Sequence, residues 1–377
     1  MSILEIIILI GPFVWFLFSL ALIKGWLAMP DFSIQNKPNS LRISVIIPVR
    51  NEEKNILLLL KDLENQSFDH EQFEVLVAND NSNDRTAELV SHFSKECTYA
   101  LKLLTLTNEP HSSPKKRAIS QALHQSKHEW IVTTDGDCRV GKHWLAAIAS
   151  FQQQTQARLI SGPVTFHDEG KASSRIQIVE FASLIGSAAV AMFWERPNMC
   201  NGANLSYSKA TFQAVGGFSG NENLASGDDE FLMHKVAARF PGEVRFVKST
   251  EALVTTEAHQ NFRSFYQQRR RWASKWKHYQ DWKVSALAIF VFLANVSCIA
   301  GVLLFSFNQL SGLVLASMAL LKFSSEFIFL SLVLRFLGQE KSILLIPLVQ
   351  LIYPFYVCFF GLAAQGKGYE WKGRKLQ

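Results

Sequence analysis

The chain has 377 residues, 48% of them apolar, a formal net charge of +6 and a pI near 9.0. That length allows about two domains, and the apolar residues gather in blocks that exclude a wholly water-soluble protein. The basic excess clusters beside those blocks, at Arg269-Arg270-Arg271, Lys275, Lys277 and Lys283 and again at Lys372, Arg374 and Lys375. It marks membrane flanks and argues against a nucleic acid polymer as partner.

The first block, Ile3 to Met29, is broken only by Glu5 and Lys24, and it has the length needed to cross a hydrocarbon core of ~30 Å as a helix. It lacks a basic leading region and a small-x-small cleavage site. An uncleaved anchor over residues 1–30 is therefore expected in place of a signal peptide.

A region of mixed pattern follows. Strands are expected at Ile43–Ile47, Glu74–Ala78, Leu101–Leu106 and Trp130–Thr134, with helices at Glu53–Asn65, Thr86–Lys95 and Lys116–Ser126. This βαβαβαβ order predicts an α/β fold with a mainly parallel sheet, Rossmann-like, over residues 42–260. In such sheets the ligand crevice lies at the strand C-termini, where Asn51-Glu52, Asp80 and Asp135-Gly136-Asp137 fall. Ile176 to Trp194 is apolar enough to imitate a membrane span but contains Gln177 and Glu180. Crossing there would put Asp135 and Asp229 on opposite sides of a bilayer, so it reads as a buried or interfacial helix.

Residues 261–283 form an aromatic and basic interfacial segment, and 284–364 holds about three further membrane helices, near Val284–Phe307, Leu313–Leu334 and Ile343–Ala364. A basic tail, 365–377, closes the chain. Positive flanks place the central domain in the cytosol, yet three crossings then put the basic tail outside. The prolines at 347 and 354 make the last block the suspected re-entrant segment. Lys322 and Glu326, one helical turn apart inside a block, can pair on one face or line a polar site. The five cysteines are odd in number and form no CxxC pair, which fits a reducing compartment.

Four polar clusters carry the chemistry, each with a plain structural reading beside it. Asp135-Gly136-Asp137 is a solvated turn, or two carboxylates sharing Mg²⁺ or Mn²⁺ with phosphate oxygens. Asp80-Asn81-Ser82-Asn83-Asp84 caps the next helix, and Asp80 can also accept the N3–H of a uracil ring. Asp228-Asp229 caps a helix, or supplies a general base whose pKa a like-charged neighbour and burial raise. Gln268-Arg269-Arg270-Arg271-Trp272 is an interfacial helix with snorkelling arginines, or Arg271 neutralises a departing diphosphate while Trp272 offers a flat face to a sugar.

The ordered series resembles the membrane-bound family 2 glycosyltransferases of GT-A fold. The matching residues are Pro48-Val49-Arg50-Asn51-Glu52-Glu53, Asn79-Asp80-Asn81-Ser82-Asn83-Asp84-Arg85-Thr86, Lys115 with the hydrophobic pattern ending at Ile119, Asp135-Gly136-Asp137, Asn201-Gly202-Ala203-Asn204, Asp228-Asp229 and Gln268-x-x-Arg271-Trp272. The chain departs from the pattern at Asn79, where an Asp is usual, at Pro114 and Ser120 around Lys115, and at Asp228, which stands in a Glu position.

The resemblance implies a nucleotide-sugar donor, of UDP type, held by Pro48, Arg50, Asn51, Glu52, Asp80, Lys115, Asp135 and Gln268. It implies a Mg²⁺ or Mn²⁺ ion on Asp135 and Asp137, catalysis by Asp229 with Asp228 and Arg271, and an acceptor beside Trp272, Asn201, Gly202 and Asn204. The expected activity is inverting transfer of a sugar to a lipid or lipid-linked acceptor at the cytosolic face of a bacterial inner membrane. Processive polysaccharide synthesis and a non-catalytic membrane scaffold of the same fold are the alternatives.

Overall fold

The computed structural model describes residues 2–35, 39–106, 113–224, 226–273, 275, 282–363, 369–371 and 374–376. Lys277 and Lys372, among the basic flanking residues, lie outside them. In chain order the elements begin with α1 (Ile3–Ala28), β1 (Ile43–Val49), α2 (Ile56–Glu64), β2 (Phe73–Asn79), α3 (Thr86–Phe93), β3 (Ala100–Thr105), α4 (Pro114–Gln125) and β4 (Trp130–Thr133). Next come β5 (Arg139–Val140), α5 (Trp144–Thr155), β6 (Leu159–Ser161), β7 (Val164–Phe166), α6 (Ala172–Phe193), β8 (Leu205–Ser208) and α7 (Lys209–Ala214). The remainder is α8 (Glu230–Arg239), β9 (Val244–Phe246), β10 (Val254–Thr256), α9 (Phe262–Ala273), α10 (Trp282–Ser306), α11 (Gly312–Phe336), α12 (Ile346–Ala363), β11 (Tyr369–Trp371) and β12 (Arg374–Leu376).

These elements form two compact units. A sheet unit comprises Met29–His167, Ala191–Glu257 and Glu370–Gln377; a helical unit comprises Met1–Ala28, Asp168–Val190 and Ala258–Tyr369. Asp168–Val190 lies inside the expected 42–260 domain by sequence, yet it packs with the helical unit.

The main sheet of the first unit has the order β3-β2-β1-β4-β8-β6-β9. The expected βαβαβαβ half is parallel throughout, with β1 paired to β2 and β4 and β2 to β3. β2 and β4 are buried along their whole length, which is why their sequences read as apolar runs without alternation. The chain leaves β3 and returns on the other side of β1, so the strand order reverses between β1 and β4. That reversal is where a doubly wound sheet opens a crevice. Pro48 is tolerated in this central strand for a local reason. Asp80 N–H donates to Val49 O (2.9 Å) and Thr134 N–H to Ile46 O (3.3 Å), so alternation turns residue 48 toward β4, which has ended by then. No ladder bond is left open by its missing N–H. A smaller sheet, β5-β10-β7, flanks the main one.

Among the described residues of the helical unit, five helices are long and apolar enough to cross a membrane, counting α6. The most apolar window of α6 is 67% buried, against 17% for α1 and α10, which agrees with its reading as a covered helix. Gly186 of α6 meets Phe329 and Val333 of α11 so closely that an added Cβ would stand 2.5 Å from Val333. The block suspected of re-entry forms a helical stretch, Glu340–Ala363, of 24 residues. Pro347 lies in the first turn of α12, where its missing N–H costs nothing. Lys322 and Glu326 pair within α11; the Lys322 ammonium lies 4.4 Å from the Trp15 ring centroid, and Gln350 Nε2 donates to Glu326 (3.2 Å) and to Phe323 O (2.9 Å). The charges are thus closed off by side chains of α1 and α12, as the structural reading of the pair expects.

Candidate active site

The loops at the C-terminal ends of β1, β2 and β4 carry the first group of acids. After β4, Cys138 N–H donates to Asp135 O (3.1 Å), closing a turn that leaves Asp135 and Asp137 half-exposed and Gly136 buried. A Cβ on Gly136 would lie 2.7 Å from Val49 Cγ1 and 3.1 Å from Glu52 Cγ. The middle residue of this triplet must therefore be glycine to let the turn sit against β1. Gly136→Ala is expected to displace both carboxylates and to lower affinity for a divalent ion at least about tenfold, since misplacements near 1 Å have large effects on a preorganised site; titration with Mn²⁺ followed by electron paramagnetic resonance measures it.

The β1 and β2 loops interlock through short polar side chains. Asn51 takes a positive φ of 54° and its Oδ1 accepts from Asn83 N–H (2.8 Å), while Asn51 N–H donates to Ser82 Oγ (3.0 Å). Asp84 accepts from Thr86 N–H (3.0 Å) and Glu53 N–H (3.1 Å). Burial pushes its pKa up, but these bonds prevail and hold it below the usual range. The capping role expected for this loop is thus present.

Asp80 is 3% exposed. Its Oδ1 accepts from Arg117 Nη2 at 2.5 Å, and its Oδ2 stands 3.9 Å from Arg50 Nη1, which also donates to Asp80 O (2.6 Å) and Asn81 O (3.2 Å). Arg50 and Arg117 together anchor the acid expected to read the nucleobase. Arg117 was not among the residues singled out from the sequence. Glu52, 7% exposed, accepts from Asn55 Nδ2 (3.2 Å) and packs beneath Gly136.

The second group converges on Lys115. Its ammonium lies 2.7 Å from Asp135 Oδ1 and 3.3 Å from Asp228 Oδ2. Burial opposes its charge, but Asp135, Asp228 and Asp229 outweigh that and raise its pKa above the ordinary lysine value. Asp228 is pushed up by burial, opposed by Lys115 and reinforced by Asp229 and Asp135. Asp229 is the N-cap of α8, its Oδ1 accepting from Glu230 N–H (2.7 Å) and its Oδ2 from Gly202 N–H (2.9 Å). The helix cap and the carboxylate held by Gly202 are thus the same residue.

Gly202 sits in the middle of this cluster: a Cβ there would stand 3.2 Å from Asp228 Oδ2, 3.3 Å from Lys115 Nζ and 3.4 Å from Asp229 Cβ. Asn201 shapes the turn by accepting from Ala203 N–H (2.9 Å). Asn204 departs from expectation. It is 1% exposed, its Oδ1 accepts from Trp144 Nε1 (3.1 Å) and its Nδ2 donates to Pro163 O and Ala252 O (2.9 and 2.8 Å). All its polar atoms hold the fold together, so it has no free group for an acceptor.

Gln268, Arg271 and Trp272 belong to the helical unit, on α9. Arg269, not singled out in the sequence, is the buried arginine of the triplet: it forks onto Glu180 of α6, and its Cζ lies 4.6 Å and 4.5 Å from the ring centroids of Phe265 and Trp272. Trp272 stacks on Phe181 at 5.9 Å. Its ring therefore packs within the unit, a role absent from the sequence reading, while Arg271 is half-buried and Gln268 accepts from Arg269.

A divalent ion fits the sheet unit on one condition. Among the described residues no group of three or more His, Cys, Asp or Glu side chains could hold an ion unaided. Asp135 and Asp137 supply two carboxylates, the number that suits a cation completing its shell with phosphate oxygens and water.

A parallel α/β sheet with acids on the loops after β1, β2 and β4, continued by an antiparallel strand and an acid-capped helix, defines a GT-A domain. Residues 44–219 match the model described as glycosyl transferase family 2. Over 189 residues the chain is 29% identical to Glycosyltransferase AglE of Haloferax volcanii, covering 50% of this chain and 58% of that protein. Over 112 residues it is 30% identical to the Beta-monoglucosyldiacylglycerol synthase of a Nostoc species, covering 30% and 24%. The chain thus spans less than two thirds of the length of these curated relatives. Among solved structures, Mannosyltransferase PcManGT from Pyrobaculum calidifontis, in complex with GDP-Man and Mn²⁺, aligns over 95% of this chain and 94% of its own with a TM-score of 0.57 at 17% identity. That likeness shows the fold.

Proposed function

We propose that the chain is an inverting glycosyltransferase that moves a sugar from a nucleotide sugar, of UDP type, to a lipid or lipid-linked acceptor at the cytosolic face of a membrane. The observation that carries this reading is the gathering of Lys115, Asp135, Asp228 and Asp229 around Gly202, beside the crevice where the sheet order reverses. Asp80 with Arg50 and Arg117 binds the base. Asp135 and Asp137 hold Mg²⁺ or Mn²⁺, which when bound neutralises the diphosphate. Asp229 takes the proton from the acceptor hydroxyl as its oxygen bonds to the anomeric carbon and the bond to the diphosphate breaks on the opposite face. Arg271 offsets charge on the leaving group, a role taken from its place in the Gln268-x-x-Arg271-Trp272 series.

The lipid acceptor is supported by the four long apolar helices besides α6 among the described residues and by a relative named Beta-monoglucosyldiacylglycerol synthase. The test supplies labelled UDP- and GDP-sugars with lipid extracts to the purified protein. Label is expected in a short lipid-soluble product, to vanish on chelation and to return with Mn²⁺ or Mg²⁺. Long water-soluble chains would favour a polysaccharide synthase, and transfer unaffected by chelation would refute the metal role.

A further inference from the structure

The helix that supplies Lys115 carries a second buried lysine with a different task. Lys116 is 2% exposed, and its ammonium donates to Asn221 O (2.5 Å) and Leu224 O (2.9 Å). Both carbonyls belong to the segment leading into Gly227-Asp228-Asp229. Ser113 N–H adds a third tie, donating to Glu222 O (2.8 Å). The same ammonium lies 5.6 Å from the Phe231 ring centroid in α8, just past the acidic pair, and its charge favours ionised Asp228. Lys235 of α8 fastens the preceding stretch by donating to Gly217 O (2.9 Å) and Ser219 O (2.6 Å).

A buried ammonium is strongly favoured where oxygens surround it and strongly disfavoured elsewhere. Lys116 therefore fixes the distance between α4 and this segment more firmly than an apolar side chain of equal length would. Three successive residues of α4 thus reach three places: Lys115 holds Asp135 and Asp228, Lys116 holds the approach to Asp229, and Arg117 holds Asp80. We infer that Lys116 is a positioning residue through which α4 carries the geometry of the donor-side acids, Asp80 and Asp135, to the base-side pair, Asp228 and Asp229.

The inference has a structural arm and a kinetic arm, the second resting on the proposed function. In the full-length protein Lys116→Met is expected to raise hydrogen exchange in peptides covering residues 219–224 and 226–231 about tenfold, the signature of a local opening. Peptides from β1, β2 and β4 should keep their wild-type protection. Unchanged exchange in the 219–231 region, or a rise spread over the whole sheet, would overturn the inference. In transfer assays Lys116→Met should lower kcat by about 10- to 100-fold with the donor KM within about threefold of wild type, as expected for a misplaced base on an intact donor site. Lys116→Arg, which keeps the donors, should recover part of the loss. A variant with normal kcat, or one that loses nucleotide binding along with kcat, counts against it. A wild-type protein that transfers no sugar would sink the proposed function, and the exchange result would still decide the role of Lys116.

Discussion

Asp229→Asn is expected to lower the rate of sugar transfer by about 10²- to 10⁴-fold, the range associated with a positioned general base. The side chain keeps its size, and one oxygen remains to accept from Gly202 or Glu230 N–H, so α8 should keep its start. What disappears is the capacity to take a proton. Nucleotide affinity, read by calorimetry, should change by less than about threefold, because Asp229→Asn keeps its size and leaves the Lys115–Asp135 ion pair and the nucleobase-side acid Asp80 in place. Asp80 lies in a separate cluster with Arg50 and Arg117.

The neighbouring acid gives the control. Asp228 is buried and paired with Lys115, so Asp228→Asn disturbs the charge balance around Lys115 without removing the carboxylate that Gly202 orients. A smaller fall in kcat is expected there. If Asp228→Asn proves the more damaging and Asp229→Asn retains turnover, the two roles are reversed.

The residues legible in the sequence are those whose signal is local. Asp80 and Asp135 each follow a buried β-rich run within two residues, so strand and site residue announce each other. Asp229 follows the same logic at the start of α8, where capping and chemistry use one carboxylate. Arg117 and Lys116 could not be read in this way. They sit in a basic stretch, Lys115-Lys116-Arg117, which resembles a solvated helix face, and their partners lie 37 and more than 100 residues away. One clue was present: Ala118, Ile119, Ala122 and Leu123 cover so much of the helix that a one-sided basic face is hard to fit, and α4 is buried nearly throughout its first half. Asn204 erred the other way, because a turn-forming Asn-Gly-Ala-Asn looks the same whether its amide faces a ligand or the core. Strands β5, β7 and β10, of two or three residues each, are too short for any periodicity.

The largest effect on stability is expected at Arg269. Arg269 is 3% exposed and its guanidinium bonds both oxygens of Glu180, itself 7% exposed, while Tyr356 Oη donates to Glu180 Oε1 (2.8 Å). The cluster joins α6, α9 and α12 within the helical unit. Arg269→Met leaves a buried carboxylate with one phenol for company, and breaking such a pair costs about 3–5 kcal/mol. The apparent melting temperature in detergent should fall sharply. The double change Arg269→Met and Glu180→Met should recover much of the loss, since two uncharged side chains of similar length leave no buried ion. Adding Tyr356→Phe should recover more, because the hydroxyl otherwise stays unpaired at a cost of about 1–3 kcal/mol. Were the single variant to lose less than about 1 kcal/mol, the range of solvent-exposed pairs, water would have to reach the pair, and α6 could not be the covered helix that its burial describes. The reversal of order, with the double variant more stable than the single, separates a buried ion pair from one whose worth is the sum of two side chains.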